Sequence, residues 1–381
     1  MIKGPVVLST SKIAGLLQQG EGFSSVAMNS TYQIRSFVPD DRHSLEDLYR
    51  AIYGSDWLQK TRLDWTLDRP MTDAGAIVAV KGSRVVSAQP YCDFPLHTQT
   101  GLRRATLFLD VATHPAYQRQ GLFSQVVSHG AAAAFARGSS IIMTTPNKVS
   151  FLGFQKMPGW SRLCLLDCMV LPLGAGAFAG SNGILLRPIR AGLGILSLLY
   201  RGQKAASLSS HADYDVESPW LPGDDADFLW SRLSVLVDNA IPRNGAFLRW
   251  RFGPDCRLFL LRDSRGPVGY AAARVITRSG LKVGMVLDCM TTTQDDSSVP
   301  LLLSSVVAWL REQGASVAVA FFLEQSVPWK HLRRAGFLRV PSVCAPRQYP
   351  VCVSVRPEDP QSRDFLSPSS WHMSLADSDL A

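Results

Sequence analysis

The sequence predicts a mixed α/β chain in which one strand-and-helix domain is built twice. Three observations lead there. Apolar strand-like runs alternate with helix-like runs over residues 32–171. A short polar loop with one glycine joins a strand-like run to a long helix-like run within that span. Four landmarks then recur in order: Leu63-Asp-Trp65 and Leu248-Arg-Trp250, Phe108-Leu-Asp110 and Val286-Leu-Asp288, the helix-ending Gly138 and Gly314, and Pro158-Gly-Trp160 and Ala335-Gly-Phe337. The offsets of Trp65/Trp250, Asp110/Asp288, Gly138/Gly314 and Gly159/Gly336 are 185, 178, 176 and 177 residues. Order and offset agree together, which indicates duplication. A chain of 381 residues, 46% hydrophobic and 18% charged, has material for two cores.

Residues 1–30 are rich in Ser and Gly and read as a loose N-terminal arm. Residues 32–37 read as a strand. Asp40 and Asp41 open a helix through Tyr53, with acidic residues near its start where the helix dipole favours them. Residues 76–80 and 85–95 are strand-like and are split by the Lys81-Gly-Ser turn. Residues 107–112 form a further strand-like run. Residues 124–137 are helix-like, with an alanine run that permits close packing. A strand at 140–145, a short helix at 149–157 and a strand at 162–171 complete a domain spanning 31–171. Residues 172–225 read as a linker, glycine-rich at first and then helical over 189–200, with Leu193, Leu196 and Leu199 at core spacing. A second domain, 226–354, includes a helix ending at Gly314. The Ser-, Asp- and Pro-rich remainder, 355–381, reads as a flexible tail.

The net charge is +8, which favours anionic ligands. The basic residues are scattered, with no long run and no nucleic-acid reader motif, so no nucleic-acid partner is expected. Seven cysteines include no Cys-x-x-Cys pair, which points to a reducing compartment and no metal site. The start of the chain is a poor signal peptide, and no stretch nears the ~18–20 apolar residues of a membrane span. The expected location is cytoplasmic.

The loop is Val111-Ala-Thr-His-Pro-Ala-Tyr-Gln-Arg-Gln-Gly-Leu-Phe-Ser124. Strand, glycine loop and helix in that order present unpaired backbone N–H groups, and the positive end of a helix dipole, to an anion. The spacing fits neither the Walker pattern nor the Gly-x-Gly-x-x-Gly dinucleotide pattern. Gly121 lets backbone approach a pyrophosphate where a side chain would obstruct it.

Gln118-Arg-Gln-Gly121-Leu-Phe123 resembles the acetyl-CoA motif Arg/Gln-x-x-Gly-x-Gly/Ala of the GNAT (N-acetyltransferase) superfamily. The preceding Val111, Pro115 and Tyr117, the later Pro146-Asn147, and the element order over 32–171 resemble the same superfamily. Phe123 departs from the usual Gly or Ala. The resemblance implies tandem GNAT-like domains, each a mixed, mostly antiparallel sheet flanked by helices, with acetyl-CoA as acyl donor and no metal. It implies that Gln118, Arg119, Gln120, Gly121, Leu122, Phe123 and Ser124 hold the pyrophosphate. It also implies that Val111 and Thr113 pair with the pantetheine arm, and that Asn147 meets that arm. In the second copy Thr293-Gln-Asp-Asp-Ser-Ser-Val299 replaces the loop, so one acetyl-CoA site per chain is expected, because aspartates repel pyrophosphate.

In such enzymes an amine attacks the thioester directly and a carboxylate removes its proton. Asp110, at the end of the strand beside the loop, is the first candidate for this base, with a pKa raised by burial. Its counterpart Asp288 stands in a copy without the loop, so both aspartates could equally tie down a strand end. Asp93 is the second candidate. The expected function is N-acyl transfer to a small-molecule amine. The resemblance of tandem chains carrying Phe247-Leu-Arg-Trp-Arg-Phe252 points to an amino sugar of envelope polysaccharide biosynthesis. Two other readings stay open: a tandem aminoacyl-transferring enzyme of the peptidoglycan-bridge type, and a non-catalytic CoA-binding module.

Overall fold

The computed structural model describes residues 32–54, 73–173, 214–278, 280–292, 298–324, 326–345 and 348–378. The expected N-terminal arm, the landmark at 63–65, most of the linker with its helix, and the acidic loop at 293–297 lie outside these residues.

Alternating apolar residues and tight glycine turns build the first sheet. Strand β1 (Gln33–Ser36) leads into helix α1 (Arg42–Tyr53). Strands β2 (Ala74–Lys81) and β3 (Arg84–Thr98) form a hairpin whose turn needs Gly82 at φ +60°. Strand β4 (Gly101–Phe108) continues the antiparallel order, and the short β5 (Ala112–Thr113) also pairs with β3. Helix α2 (Leu122–Ala136) crosses over to β6 (Ile141–Thr144), which runs parallel to β4. A short helix α3 (Lys148–Phe154) and strand β7 (Trp160–Pro172) follow. Leu122, Val126, Val127 and Ala134 bury one face of α2 on the sheet. A Cβ at Gly130 would lie 3.0 Å from the Phe108 ring, so glycine there sets how closely helix and strand approach.

The series then repeats. Strand β8 (Asp215–Glu217), helix α4 (Asp224–Leu233), strand β9 (Asn239–Ala240) and helix α5 (Gly245–Arg251) precede the antiparallel β10 (Cys256–Asp263), β11 (Gly266–Arg278) and β12 (Leu281–Thr291). Helix α6 (Ser298–Glu312) crosses over to β13 (Val317–Leu323), parallel to β12. Helix α7 (Val327–Arg334), strand β14 (Leu338–Arg339), strand β15 (Tyr349–Val355) and helix α8 (Ser362–Phe365) follow. Helices α2 and α6 are each 15 residues long and offset by 176. The recurring glycines share a reason: Gly138, Gly314, Gly159 and Gly336 have φ of +94°, +76°, +77° and +90°, open to glycine at little cost.

The two copies exchange their last strands. The sheet order is β1-β2-β3-β4-β6-β15-β7-β13-β12-β11-β10-β8. Strand β15, from the end of the second copy, pairs with β6 of the first. Strand β7, from the end of the first, pairs with β13 of the second from Val317↔Pro172 to Leu323↔Leu166. One sheet therefore runs through both halves.

The expectation of a flexible tail is corrected. Phe365, Trp371, Met373 and Leu375 are buried in the core shared by both halves, and Ser374 bridges to Phe322 of β13. Alternating large apolar residues drive this segment inward despite its polar composition. A buried ionic cluster fixes it. Arg243 donates from Nε to Asp288 (2.8 Å) and from Nη2 to Asp377 (2.7 Å). Tyr270 Oη donates to Asp288 at 2.5 Å, and His372 Nε2 lies 3.1 Å from its other oxygen. Burial alone would raise the Asp288 carboxyl, but Arg243 and the bonds from His372 and Tyr270 hold it well below the usual carboxylate range.

All seven cysteines are unpaired, and burial pushes the thiols of Cys164, Cys168 and Cys352 up to about 12. Among the described residues, no helix is long and apolar enough to cross a membrane.

Candidate active site

The parallel pairing of β4 and β6 ends at Phe108↔Thr144. Beyond it the two chains part. Leu109, Asp110 and Val111 leave β6, and β5 rejoins β3 alone through Ala88↔Ala112 and Ser87↔Thr113. Between Phe108 and Ala112 the chain advances four residues while β3 advances three, from Tyr91 to Ala88, so one extra residue bulges. Asp110 lies in this bulge with φ +31°, a strained value for a residue with a side chain. Its carbonyl accepts from Tyr49 Oη at 2.9 Å. The Gln89 amide holds the same bend by donating to the carbonyls of Pro90 (2.7 Å) and Leu109 (3.0 Å). On the other side of the opening, Thr145 and Pro146 lead to Asn147 at the head of α3.

The loop crosses the mouth of this opening. His114 Nδ1 accepts from Ala116 N–H at 3.2 Å and starts a single helical turn, Pro115–Tyr117. Arg119 (φ +61°) and Gly121 (φ +75°) are both left-handed, and the loop from Gln118 to Gly121 is exposed. At Gly121 the constraint is φ rather than space, since a Cβ would meet only Gln125, at 3.6 Å. Successive N–H groups in such a turn make an anion-binding concavity at the positive end of α2.

Side chains brace the loop from within. Gln118 Nε2 donates to Thr113 O at 3.3 Å, and Tyr32 Oη donates to Gln120 Oε1. Tyr32 and Tyr117 meet edge to face at 6.2 Å, with Lys81 Nζ 5.8 and 5.4 Å from their ring centres. Arg84 Nη2 lies 3.1 Å from His114 Nε2, and burial together with that guanidinium pushes the imidazole pKa down. The glutamines thus shape the loop through their side chains while Lys81, Arg84 and Arg119 bring positive charge to it.

Residues 33–160 match the family model of the acetyltransferase (GNAT) domain. Residues 33–160 form a GNAT acetyltransferase domain. Solved structures share the fold over most of the chain. A GCN5-related N-acetyltransferase from Anabaena variabilis is 10% identical, with a TM-score of 0.58 over 84% of this chain and 72% of that one. A GCN5-related N-acetyltransferase from Kribbella flavida is 12% identical, with a TM-score of 0.53 over 86% of this chain and 72% of that one. No protein of curated function matches the chain.

Within the GNAT domain, Val111, Thr113 and the residues from Gln118 to Ser124 gather at the opening with Asn147. Leu122 is buried, so it offers backbone alone. Asn147 is exposed, and its Oδ1 accepts from Val149 and Ser150 N–H at 2.9 and 3.0 Å, capping α3. Phe123 turns away from the loop and packs on Phe154, ring centres 5.3 Å apart. Gly153 makes room for it, since a Cβ there would come within 2.7 Å of the Phe123 ring. The departure at Phe123 thus serves the α2–α3 contact and leaves the loop open.

Two carboxylate expectations are corrected. Asp110 is half-buried rather than buried. Asp93 is away from the opening. Thr106 Oγ1 donates to it at 2.6 Å, and Arg137 donates from Nε (2.9 Å) and Nη2 (3.1 Å). Arg137 follows the far end of α2, about 24 Å along the helix from Gly121 at ~1.5 Å per residue. Asp93 therefore joins strands to helix. Asp377 was missed because it lies in the supposed tail. It lines the opposite side of the opening with Leu107, Thr144 and Thr145. Tyr49 and Gln89 had no motif, although Gln89 is a lone amide within an apolar run.

In the second half, Asp288 stands where Asp110 does and is fully buried among its four donors, Arg243, Tyr270, His372 and the Cys289 N–H. The tie-down role fits Asp288, and Tyr49 holds the Asp110 carbonyl in the bulge.

Proposed function

We propose that the chain transfers an acetyl group from acetyl-CoA to the amine of a small molecule, in the opening of its first copy. The observation that supports this most directly is the parting of β4 from β6 immediately beneath a left-handed loop and a helix N-terminus. A phosphate-binding mouth above an unpaired strand edge suits a ligand with a pyrophosphate head and an amide-bearing arm. Acetyl-CoA supplies the acyl group as an activated thioester. The N–H groups of Arg119 through Ser124 bind its pyrophosphate, and Arg119 adds charge. Among the described residues the 111–113 edge has no strand on its β6 side, which leaves it to the pantetheine amides. Asp110, in the bulge beside this edge, takes the proton from the attacking amine. Positioning of amine and thioester together supplies much of the rate.

The test incubates the protein with acetyl-CoA and a panel of small amines, amino sugars included, and follows free thiol. Thiol release that depends on one class of amine supports the reading. Tight CoA binding with no amine-dependent thiol across the panel would overturn it in favour of a non-catalytic module.

A further inference from the structure

We infer that the second copy holds a small-molecule site of its own, for an apolar molecule of fragment size that carries an amine or hydroxyl group. Its last ladder pair with β13 is Val286↔Ala320, yet β12 continues to Thr291. Between that extension and the head of α7 lies a cavity of about 240 Å³. Leu236, Met290, Val299 and Trp371 give it an apolar body, and Ser326 and His372 give it polar points. This is below the ~300–1,000 Å³ of sites for drug-sized ligands, so it suits on the order of ten non-hydrogen atoms.

His372 decides the chemistry. It is only 6% exposed and lines the cavity. Its Nε2 faces Asp288, and a carboxylate can only accept, so Nε2 carries the proton. Nδ1 has no partner among the described residues and presents a lone pair when the ring is neutral. The cavity thus offers an acceptor and asks for a donor. Behind the ring, Asp288 and Asp377 share the one guanidinium of Arg243, an excess of negative charge that disfavours a carboxylate ligand.

This site lies away from the glycine loop of the first copy, and among the described residues only the buried chain His372–Asp288–Arg243–Asp377 links it to the inner side of the opening. The His372 backbone N–H donates to Asn239 O, and Asn239 pairs with Thr98 at the far end of β3. Thr98 is about 33 Å along that strand from Ala88, at ~3.3 Å per residue. The site therefore stands or falls independently of the proposed acetyl transfer.

Calorimetry on the full chain with N,N-dimethylphenethylamine tests it, since a tertiary amine binds without forming a stable amide. The expected result is one binding event per chain, with 3-phenylpropionate giving none. His372→Gln keeps a donor toward Asp288 but removes Nδ1, and weakens binding about tenfold, the value of one good hydrogen bond. Val327→Phe fills the cavity and abolishes binding, with circular dichroism showing a folded chain. Gly121→Trp leaves amine binding unchanged. No binding at millimolar amine, equal binding of the carboxylate, or unchanged binding in both cavity variants would overturn the inference.

Discussion

Arg243 donates to Asp377 at 2.7 Å across a span of 134 residues, and with the same guanidinium to Asp288 at 2.8 Å. All three side chains are buried or nearly so. This fork joins the C-terminal segment to the second copy. Arg243→Met would leave two carboxylates in the core without their cation. The expected loss is about 3–5 kcal/mol in denaturant unfolding, as for one partner removed from a buried pair.

Acid should act on the same cluster. The Asp288 carboxyl is held below its unfolded value, so the stability it contributes is complete above the ordinary ~3.9 and is lost as pH falls through lower values. Unfolding free energy measured from pH 6 down to pH 2 should fall in the wild type. In Asp288→Asn, taken from a lower start, the fall should be shallower. Parallel curves would contradict the assignment.

Gly121→Trp should abolish CoA binding in calorimetry while the circular dichroism spectrum stays native. The bulk enters the exposed loop, where it meets phosphate rather than core. Wild-type titration should give one CoA per chain, because only the first copy carries the glycine loop. Two sites of similar affinity would refute this.

Asp110→Asn should lower turnover by about 10²–10⁴-fold, the usual worth of a positioned base. Affinity for CoA should change little, because the Tyr49 bond to Asp110 goes to the backbone. An unaltered rate would remove Asp110 from the mechanism.

Phe123 and Gly153 should behave as one unit. Gly153→Ala puts a methyl group against the Phe123 ring and should destabilise by about 1–3 kcal/mol. In Phe123→Ala the same change should cost much less. A double-mutant cycle with no coupling would disprove the contact.

Much of the candidate site was legible because its signals are local. A lone glycine before a helix has few other reasons to exist, and Gly121 is left-handed as that predicts. The paired glycines at 138 and 314 mark equivalent helix ends for the same reason. Asp93 misled because its partner Arg137 is 44 residues away and leaves no trace in the surrounding strand. The tail misled because composition outweighed pattern: Trp371, Met373 and Leu375 alternate as buried strand-like residues do, among serines and aspartates. The exchange of β7 and β15 had no local signature, since either strand fits either neighbour by hydrophobicity alone.

That exchange governs the order in which a nascent chain can finish folding. When β6 leaves the ribosome, its permanent neighbour β15 lies some two hundred residues in the future. The acyl-transfer half therefore waits with an open, apolar sheet edge until the chain is nearly complete, a state in which edges recruit wrong partners. Synthesis truncated before Tyr349 leaves that half without its neighbour to β6, so a loop encoded in the first third of the chain matures only near the end.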